Sequence, residues 1–149
     1  MKGIWLLLMT GILCLGTVSA AAQDSNADAA AIEAAVRNYI EGWFSSDAGR
    51  MEMALHPNLQ KATVRTLQDG KTQYLDLVEA QTMVHYTGQN QDWVKGKQLE
   101  KPVEILYQDE HFAVVKAIST DFYDICGLVK LNGEWKILQV LWAQFDATK

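Results

Sequence analysis

The sequence has little cysteine, little proline and no cluster of positive charge, and the charge balance excludes two kinds of partner. Two cysteines and two prolines occur among 149 residues. Thirteen Lys and Arg residues face eighteen Asp and Glu residues, which gives a net charge of −5, and no run of basic residues occurs. Nucleic acids and anionic lipids attract basic surfaces. We therefore expect neither of them as a partner.

The first residues predict an export signal. Lys2 precedes an uncharged and mostly apolar stretch over 3–18, and the small residues Ser19 to Ala22 follow. This is the layout of a secretory signal peptide over 1–22, cleaved after Ala20 or Ala22. An uncleaved membrane anchor is the alternative, but the apolar stretch is shorter than the roughly 20 residues that a span needs. We expect a periplasmic or secreted protein without a membrane attachment after cleavage.

Cleavage would also remove Cys14 and Lys2. Cys126 would then be the one remaining cysteine, so the core must stabilise the domain without an intrachain disulfide. The mature net charge would be −6. The three histidines, His56, His85 and His111, match no metal-ligand spacing, and the sequence has neither a phosphate loop nor a dinucleotide fingerprint. We expect no metal and no cofactor.

Hydrophobic periodicity predicts three helices in the first half of the chain. Residues 23–28 are small and polar and read as a disordered lead, and Asp28 reads as the N-cap of the first helix. Asp47 can cap a second, short helix that ends by Pro57. A third helix is predicted over 74–86. The larger apolar residues of the first helix share one face, and they are Ile32, Val36, Tyr39, Ile40 and Trp43.

Strand patterns dominate the second half. A β-branched strand over 62–67 and an Asp69-Gly70 turn precede the third helix, and a meander follows it. Its strands are predicted over 103–108, 111–119, 122–131 and 134–144. Helices must cover one face of this sheet, so the sequence predicts one α+β domain over 29–145.

The two-residue Asn132-Gly133 turn sets the expected register of the last two strands. It pairs Leu128 with Ile137 and Cys126 with Gln139, and it places Asp124, Gln139 and Trp135 on one face. The opposite face is also mostly apolar, and its residues are Tyr123, Ile125, Val129, Leu131, Lys136, Leu138, Val140 and Trp142. Three helices cannot cover both faces. We therefore expect a homodimer through the sheet, with a long covering loop as the alternative.

A ligand cavity is expected between the helices and the first of these faces. A buried polar group needs a partner, so Asp124 and Gln139 are either satisfied in a core or line a wet pocket. Aromatic walls with a few polar groups are typical of small-ligand sites. The candidate ligand-binding residues are Tyr39, Trp43, His85, Asp124, Trp135 and Gln139.

Two segments carry a resemblance to a known superfamily. The opening from Val36 to Pro57 and the closing hairpin from Phe122 to Ile137 resemble nuclear transport factor 2-like proteins. Within that group the chain is most similar to the putative lumazine-binding and SnoaL-like proteins. The resemblance spans nearly all of 29–144 and implies a cone-shaped, curved antiparallel sheet wrapped by about three N-terminal helices around a cavity, commonly in a dimer.

The resemblance also bears on whether this chain carries the catalytic residues of an enzyme. Ketosteroid-isomerase-like members carry a tyrosine on the first helix as an oxyanion donor, and Tyr39 falls at that place. Their aspartate base lies on the first strand after the second helix, where this chain reads Ala62 to Thr66 without a carboxylate. Without a base, proton transfer is typically about 10²–10⁴-fold slower.

Three functions follow in order of preference. The first is an exported small-molecule-binding protein whose ligand the sequence does not name. The second is a protein-interaction domain with a filled cavity. The third is a proton-transfer isomerase or dehydratase, which requires Asp124 to be buried, with a raised pKa, beside Tyr39 or His85.

Overall fold

The computed structural model describes residues 17–89 and 91–145, which form three helices packed on one side of a six-stranded sheet. The helices are α1 (Thr17–Ser45), α2 (Ala48–Ala54) and α3 (Ala80–Gln89). The strands are β1 (Leu55–Thr66), β2 (Gln73–Glu79), β3 (Glu104–Gln108), β4 (Phe112–Ile118), β5 (Phe122–Leu131) and β6 (Glu134–Gln144). The predicted α+β architecture is confirmed.

The sheet is mixed rather than wholly antiparallel. Its strand order is β2-β1-β6-β5-β4-β3. Four neighbouring pairs are antiparallel, whereas β1 and β6 run parallel. The register shifts within the β1–β6, β3–β4 and β5–β6 pairings. Such irregularities bend a sheet and increase its twist.

Helix α1 begins earlier than the sequence indicated. Residues 23–28, expected as a disordered lead, lie within α1, and Asp28 is not its N-cap. The Asp28 carboxylate instead accepts hydrogen bonds from Lys130 Nζ at 2.6 Å and from Trp135 Nε1 at 3.0 Å. These bonds tie the start of the domain to the final hairpin. Of the predicted signal peptide, residues 1–16 lie outside the described part of the chain.

The bonds at Asp28 predict an acid-sensitive contact. The hydrogen bond from Lys130, and after it the bond from Trp135, lowers the pKa of Asp28 below its ordinary value of 3.8. The contact is therefore fully stabilising above the unfolded-state pKa and is lost as the pH falls below it, through the folded-state pKa. We expect Asp28→Asn to cost about 1 kcal/mol of unfolding free energy at pH 7 and less at pH 2.5.

Denaturant unfolding of both proteins at the two pH values measures this difference. Asp92→Asn, at an exposed loop carboxylate, is the matched control and should change little. An Asp28→Asn cost that is the same at both pH values would show that the carboxylate charge does not contribute.

The third helix was predicted over 74–86, and this prediction is wrong in its first half. Residues Gln73–Glu79 form β2, which pairs antiparallel with β1, and α3 begins only at Ala80. The spacing of Leu75, Val78 and Thr82 fits a helix, but pairing with β1 satisfies the backbone of this segment. Leu75 and Leu77 consequently lie exposed on the outer face of the sheet, away from the helices.

Strand β1 is longer than predicted and includes Pro57. It begins at Leu55, directly after α2, rather than at Ala62. The register with β6 shifts between Leu55 and Gln60, and irregular pairing of this kind tolerates a residue without an N–H group. The extension matters because it brings Lys61 into the sheet.

The final hairpin keeps the predicted register only near its turn. Asn132 and Gly133 have φ angles of 53° and 85°, and Leu128 faces Ile137 as expected. Beyond that point β6 contains an extra residue, so Gln139 pairs with Gly127 instead of Cys126. Each later residue of β6 therefore changes face. Val140 and Trp142 turn inward, whereas Gln139 and Leu141 turn outward, contrary to the prediction.

The core lies between the inner face of the sheet and the helices. It contains Ile32, Val36 and Ile40 of α1 and Ile137 and Val140 of β6, all at most 1% exposed. On the outer face several large apolar side chains are exposed, namely Val64, Leu75, Leu77, Leu106, Phe112, Val114, Leu131 and Leu141. None of the helices within residues 17–89 and 91–145 is both long and apolar enough to cross a membrane.

Candidate functional site

Three polar side chains from three elements meet inside the core. They are Tyr39 of α1, Lys61 of β1 and Asp124 of β5, and we call them the buried polar centre. The Tyr39 hydroxyl donates to Asp124 Oδ1 at 3.3 Å. Lys61 Nζ donates to the same Oδ1 at 3.1 Å and also to the Tyr39 hydroxyl. One carboxylate oxygen therefore accepts two hydrogen bonds.

Strand register and helix periodicity bring these residues together. Tyr39 lies on the same apolar stripe of α1 as Val36 and Ile40. Side chains alternate between the faces of a strand. Lys61 pairs with Val140, and Asp124 pairs with Trp142, so all four face the helices.

The centre is closed off from solvent. Tyr39, Lys61 and Asp124 are only 2%, 7% and 0% exposed. The second carboxylate oxygen, Asp124 Oδ2, is buried and has no hydrogen-bond partner among the described residues. An unpaired buried acceptor costs free energy. Oδ2 is therefore an acceptor that a hydrogen-bond donor from outside the chain could satisfy.

Aromatic rings surround the Lys61 ammonium group. Its Nζ lies 5.1 Å from the ring centroid of Tyr39, 5.8 Å from that of Phe122 and 5.0 Å from that of Trp142. Rings at such distances stabilise a cation through their negative faces. The guanidinium carbon of Arg65, whose side chain is exposed, lies 5.6 Å from the centroid of the Trp142 ring. The Trp142 indole thus lies near two cationic side chains, the buried Lys61 and the exposed Arg65.

Burial changes the proton affinity of the centre. It raises the pKa of Asp124 above its ordinary value, and the positive charge of Lys61 and the two donated hydrogen bonds oppose this only in part. Burial, followed by the negative charge of Asp124, raises the pKa of Tyr39 well above its ordinary value. Tyr39 consequently remains a hydrogen-bond donor at neutral pH, and Asp124 accepts a proton more readily than an exposed aspartate does.

Two of the six candidate residues from the sequence meet at this centre. Tyr39 and Asp124 are hydrogen-bonded to each other, which is the arrangement that the enzyme hypothesis from the sequence required. Trp43 is half-buried one turn further along α1 and packs against the core.

The other three candidates lie elsewhere. Trp135 is buried at the far end of the core, where its indole N–H is bonded to Asp28. His85 is exposed on α3 with its ring 6.2 Å from that of Tyr86. Gln139 is exposed on the outer face because the extra residue in β6 reverses its direction. The structure thus separates these three from the centre.

Lys61 is the residue that the sequence analysis missed. It directly precedes the segment 62–67 that reads as a strand, so the sequence prediction leaves it outside the sheet. Its neighbours Leu59 and Ala62 are buried in the structure. An apolar Leu59 two positions before Lys61 was the available signal that the strand extends backwards and that Lys61 shares the face of Leu59.

Two of the open pockets lined by the described residues lie outside the buried polar centre. One, of about 560 Å³, lies between α1, α2 and the segment 97–102. The other, of about 530 Å³, lies on the outer face of β3, β4 and β5. Within residues 17–89 and 91–145, no group of three His, Cys, Asp or Glu side chains is arranged to hold a metal ion.

The model of one known protein family matches most of the chain. Residues 27–143 match the model of the family described as putative lumazine-binding. The chain belongs to this family. The match covers all three residues of the buried polar centre, which are therefore part of the family domain. No curated protein matches the chain.

Solved structures show that this lumazine-binding family member has a nuclear transport factor 2-like, cystatin-like fold. A protein of this fold from Novosphingobium aromaticivorans has a TM-score of 0.62 and 13% identity, with 93% of this chain and 94% of that chain covered. A putative scytalone dehydratase from the same organism has a TM-score of 0.58 and 11% identity, with coverage of 83% and 89%.

A putative ketosteroid isomerase from Shewanella frigidimarina is also similar. Its TM-score is 0.52 and its identity 16%, with 76% of this chain and 94% of that chain covered. At these identities the similarity shows the fold alone. The fold hosts different activities, so function has to be argued from the site.

Proposed function

We propose that the protein is an exported small-molecule-binding protein whose ligand inserts between the helices and the inner face of the sheet. The observation that carries this proposal is the buried, unpartnered oxygen Asp124 Oδ2 beside the ammonium group of Lys61. An acceptor and a cationic donor held side by side match a ligand edge that carries an N–H or O–H group next to a carbonyl group.

The surrounding rings specify the rest of the ligand. Phe122 and Trp142 stand with ring centroids 6.3 Å apart, and Phe44 lies 5.9 Å from Phe122. Aromatic walls favour a flat ligand body. Because the centre is closed, the ligand has to displace the Lys61 side chain or the Trp142 ring on entry. Lys61 has a long, flexible stem that permits such a displacement.

The family description supports a flat heterocycle, since lumazine is named in it. The match is to a family and not to a characterised ligand, so lumazine is a probe rather than the proposed natural ligand. The predicted signal peptide over 1–22 supports export, and the periplasm or the cell exterior is the proposed location.

Removal of the Lys61 donor is expected to weaken binding. Mature protein purified from its own host should carry a discrete small molecule in native mass spectrometry, or bind lumazine or another flat heterocycle in a thermal-shift series. Lys61→Met should weaken this binding by about tenfold or more, because a hydrogen bond to a charged group contributes about 1.5–3 kcal/mol. Gln139→Met is the matched control, since Gln139 is exposed on the outer face.

Two results would contradict the binding function. Equal binding to the Lys61→Met and wild-type proteins would place the ligand elsewhere. A bare protein that no heterocycle stabilises would favour the second interpretation, an interaction domain with a filled core, which the low exposure of Tyr39, Lys61 and Asp124 also supports.

A proton-transfer enzyme is a further candidate, and one observation favours it. Asp124 is buried, its pKa is raised, and it accepts a hydrogen bond from Tyr39, which meets the condition set out from the sequence. Against it, Asp124 Oδ1 is already bonded to Lys61. If the recovered ligand exchanges a carbon-bound proton for deuterium with the wild-type protein and not with Asp124→Asn, the enzyme interpretation gains over simple binding.

We also propose a homodimer through the outer face of the sheet. Exposed apolar side chains there include Val64, Leu77, Val114 and Leu141, and contiguous apolar surface of this kind marks an interface. The corrected register supports the proposal, because Leu141 now belongs to this face and is 50% exposed.

Light scattering should find a dimer, and Leu141→Asp should convert it to a monomer at micromolar concentration. A charge placed unpaired in an apolar interface costs several kcal/mol. Leu67→Asp is the control, because Leu67 is 49% exposed but follows the end of β1. A wild-type monomer, or a dimer that Leu141→Asp leaves intact, would overturn the interface.

A further inference from the structure

The larger of the two open pockets, between α1, α2 and the segment 97–102, is lined by an unusual set of charges for so acidic a chain. We call it the α1–α2 cleft. Its volume is about 560 Å³, within the range of small-molecule sites. Its charged lining residues are Arg37, Glu41, Arg50, Lys97, Glu100 and Lys101. Four cations thus face two carboxylates, whereas the chain has a net charge of −5.

Neighbouring side chains of α1 orient the two guanidinium groups, and one of these side chains, Glu41, also lines the cleft. Arg37 donates from Nε to Glu33 at 2.8 Å and from Nη1 to Glu41 at 3.2 Å. Arg50 donates from Nη2 to Glu41 at 2.7 Å and from Nε to Asn38 at 3.2 Å. A guanidinium group has five N–H donors. Both groups are therefore oriented by two bonds and keep donors for a ligand.

The lysines add charge with less constraint. Lys97 Nζ lies 2.7 Å from Asp121 Oδ2, and Asp121 is not part of the lining. Lys101 is exposed and makes no ion pair with any residue that the structure describes. Pre-oriented guanidinium groups with a nearby flexible ammonium group suit a carboxylate or a similar planar anion.

Apolar side chains complete the cleft. Phe44, Leu99 and Pro102 belong to its lining. An inorganic ion would leave this surface wet, whereas an organic anion would cover it and gain the corresponding apolar burial. The cleft contains none of Tyr39, Lys61 and Asp124, so it is a site separate from the buried polar centre.

We propose that the α1–α2 cleft is a second binding site, for a small organic anion that joins a carboxylate to an apolar body. The carboxylate lies against Arg37 and Arg50, and the body covers Phe44 and Leu99. The inference does not depend on the ligand proposed for the buried polar centre, because none of Tyr39, Lys61 and Asp124 lines the cleft. Phe44 is a ring that lies beside both sites.

Benzoate is a suitable probe, and benzamide is its neutral counterpart of the same shape. In a heteronuclear NMR titration of the mature protein, benzoate should shift the amide signals of residues 97–101 and of the last turns of α1, and leave those of Lys61 and Asp124 in place. Benzamide should bind at least about tenfold more weakly, because it lacks the charge that the guanidinium groups select. Raising the salt concentration should weaken benzoate binding.

Lys101→Glu tests the charge of the cleft without disturbing its packing. Reversing one exposed charge near the anion should weaken benzoate binding about three- to tenfold. Lys71→Glu makes the same change in the exposed β1–β2 turn and should have no effect. Equal binding of benzoate and benzamide, equal effects of the two reversals, or shifts confined to the buried polar centre would overturn the proposal.

Discussion

Replacing Asp124 with alanine should lower the unfolding free energy by about 3–5 kcal/mol, among the largest effects of any single substitution in this protein. The change removes the carboxylate that pairs with Lys61 Nζ at 3.1 Å. The ammonium group would then remain buried, with the Tyr39 hydroxyl as its one remaining partner in the centre. A buried charge without a counter-charge is expensive, and this cost adds to that of the lost side chain.

Removing the other partner should cost less. In Lys61→Met the Asp124 carboxyl loses its counter-charge, but burial already raises its pKa, so it can take up a proton and become neutral. Tyr39 can still bond to it. We expect a loss of about 1–3 kcal/mol for this variant.

The double variant Lys61→Met with Asp124→Ala completes the cycle with the two single variants. It removes both charges at once, so its loss of unfolding free energy should be well below the sum of the two single losses. Denaturant unfolding measures all four proteins. Asp92→Ala, at an exposed loop position, should change the value by less than about 0.5 kcal/mol. Additive losses would show that the two side chains do not interact energetically.

Replacing Trp135 with alanine should cost a similar amount, about 3–5 kcal/mol. The indole is only 5% exposed and is part of the core at the start of β6, beside the Asn132-Gly133 turn. Its Nε1 also bonds to Asp28 at 3.0 Å, and Lys130 Nζ lies 5.9 Å from its ring. Truncation therefore leaves a cavity and removes one of the bonds that hold α1 against the final hairpin.

Two further variants separate the contribution of the buried ring from that of its N–H hydrogen bond. Trp135→Phe keeps most of the buried ring and loses the N–H group, so it should cost about 1 kcal/mol more than its small loss of volume explains. Combined with Asp28→Asn it should be less than additive, because both changes break the same bond. Trp93→Ala is the matched control, since Trp93 is 76% exposed, and it should be nearly neutral. A similar loss for Trp93→Ala would contradict the role assigned to burial.

Local patterns were sufficient for most of the elements. The β5 and β6 strands were predicted with the bounds that the structure has, because Asn132 and Gly133 tolerate positive φ and form a tight turn. The Asp47 cap of α2 was also predicted correctly, and its carboxylate accepts from the Arg50 backbone N–H. In both cases the residues that decide the structure are close in sequence, so their effect can be read from the chain alone.

Long-range pairing decided what the local patterns did not. Leu75 and Val78 have helical spacing, yet their segment pairs antiparallel with β1 and forms a strand. Nothing in β6 itself marks the extra residue that turns Gln139 outward and Trp142 inward, since six of the eight residues 135–142 are apolar and either face would be mostly apolar. Register there depends on how β5 and β6 meet the helices, which is a property of the packed domain.

The sequence by itself therefore determined the α+β class, the family resemblance, the net negative charge and the common inner face of Tyr39 and Asp124. The tertiary structure decided that Lys61 joins them and that Trp135, His85 and Gln139 do not. The reason is physical: alternation and helical periodicity assign a side chain to a face, whereas the neighbours on that face depend on strand register and on where each strand begins. Lys61 reaches Asp124 across 63 residues of sequence, a separation at which only folding brings charges together.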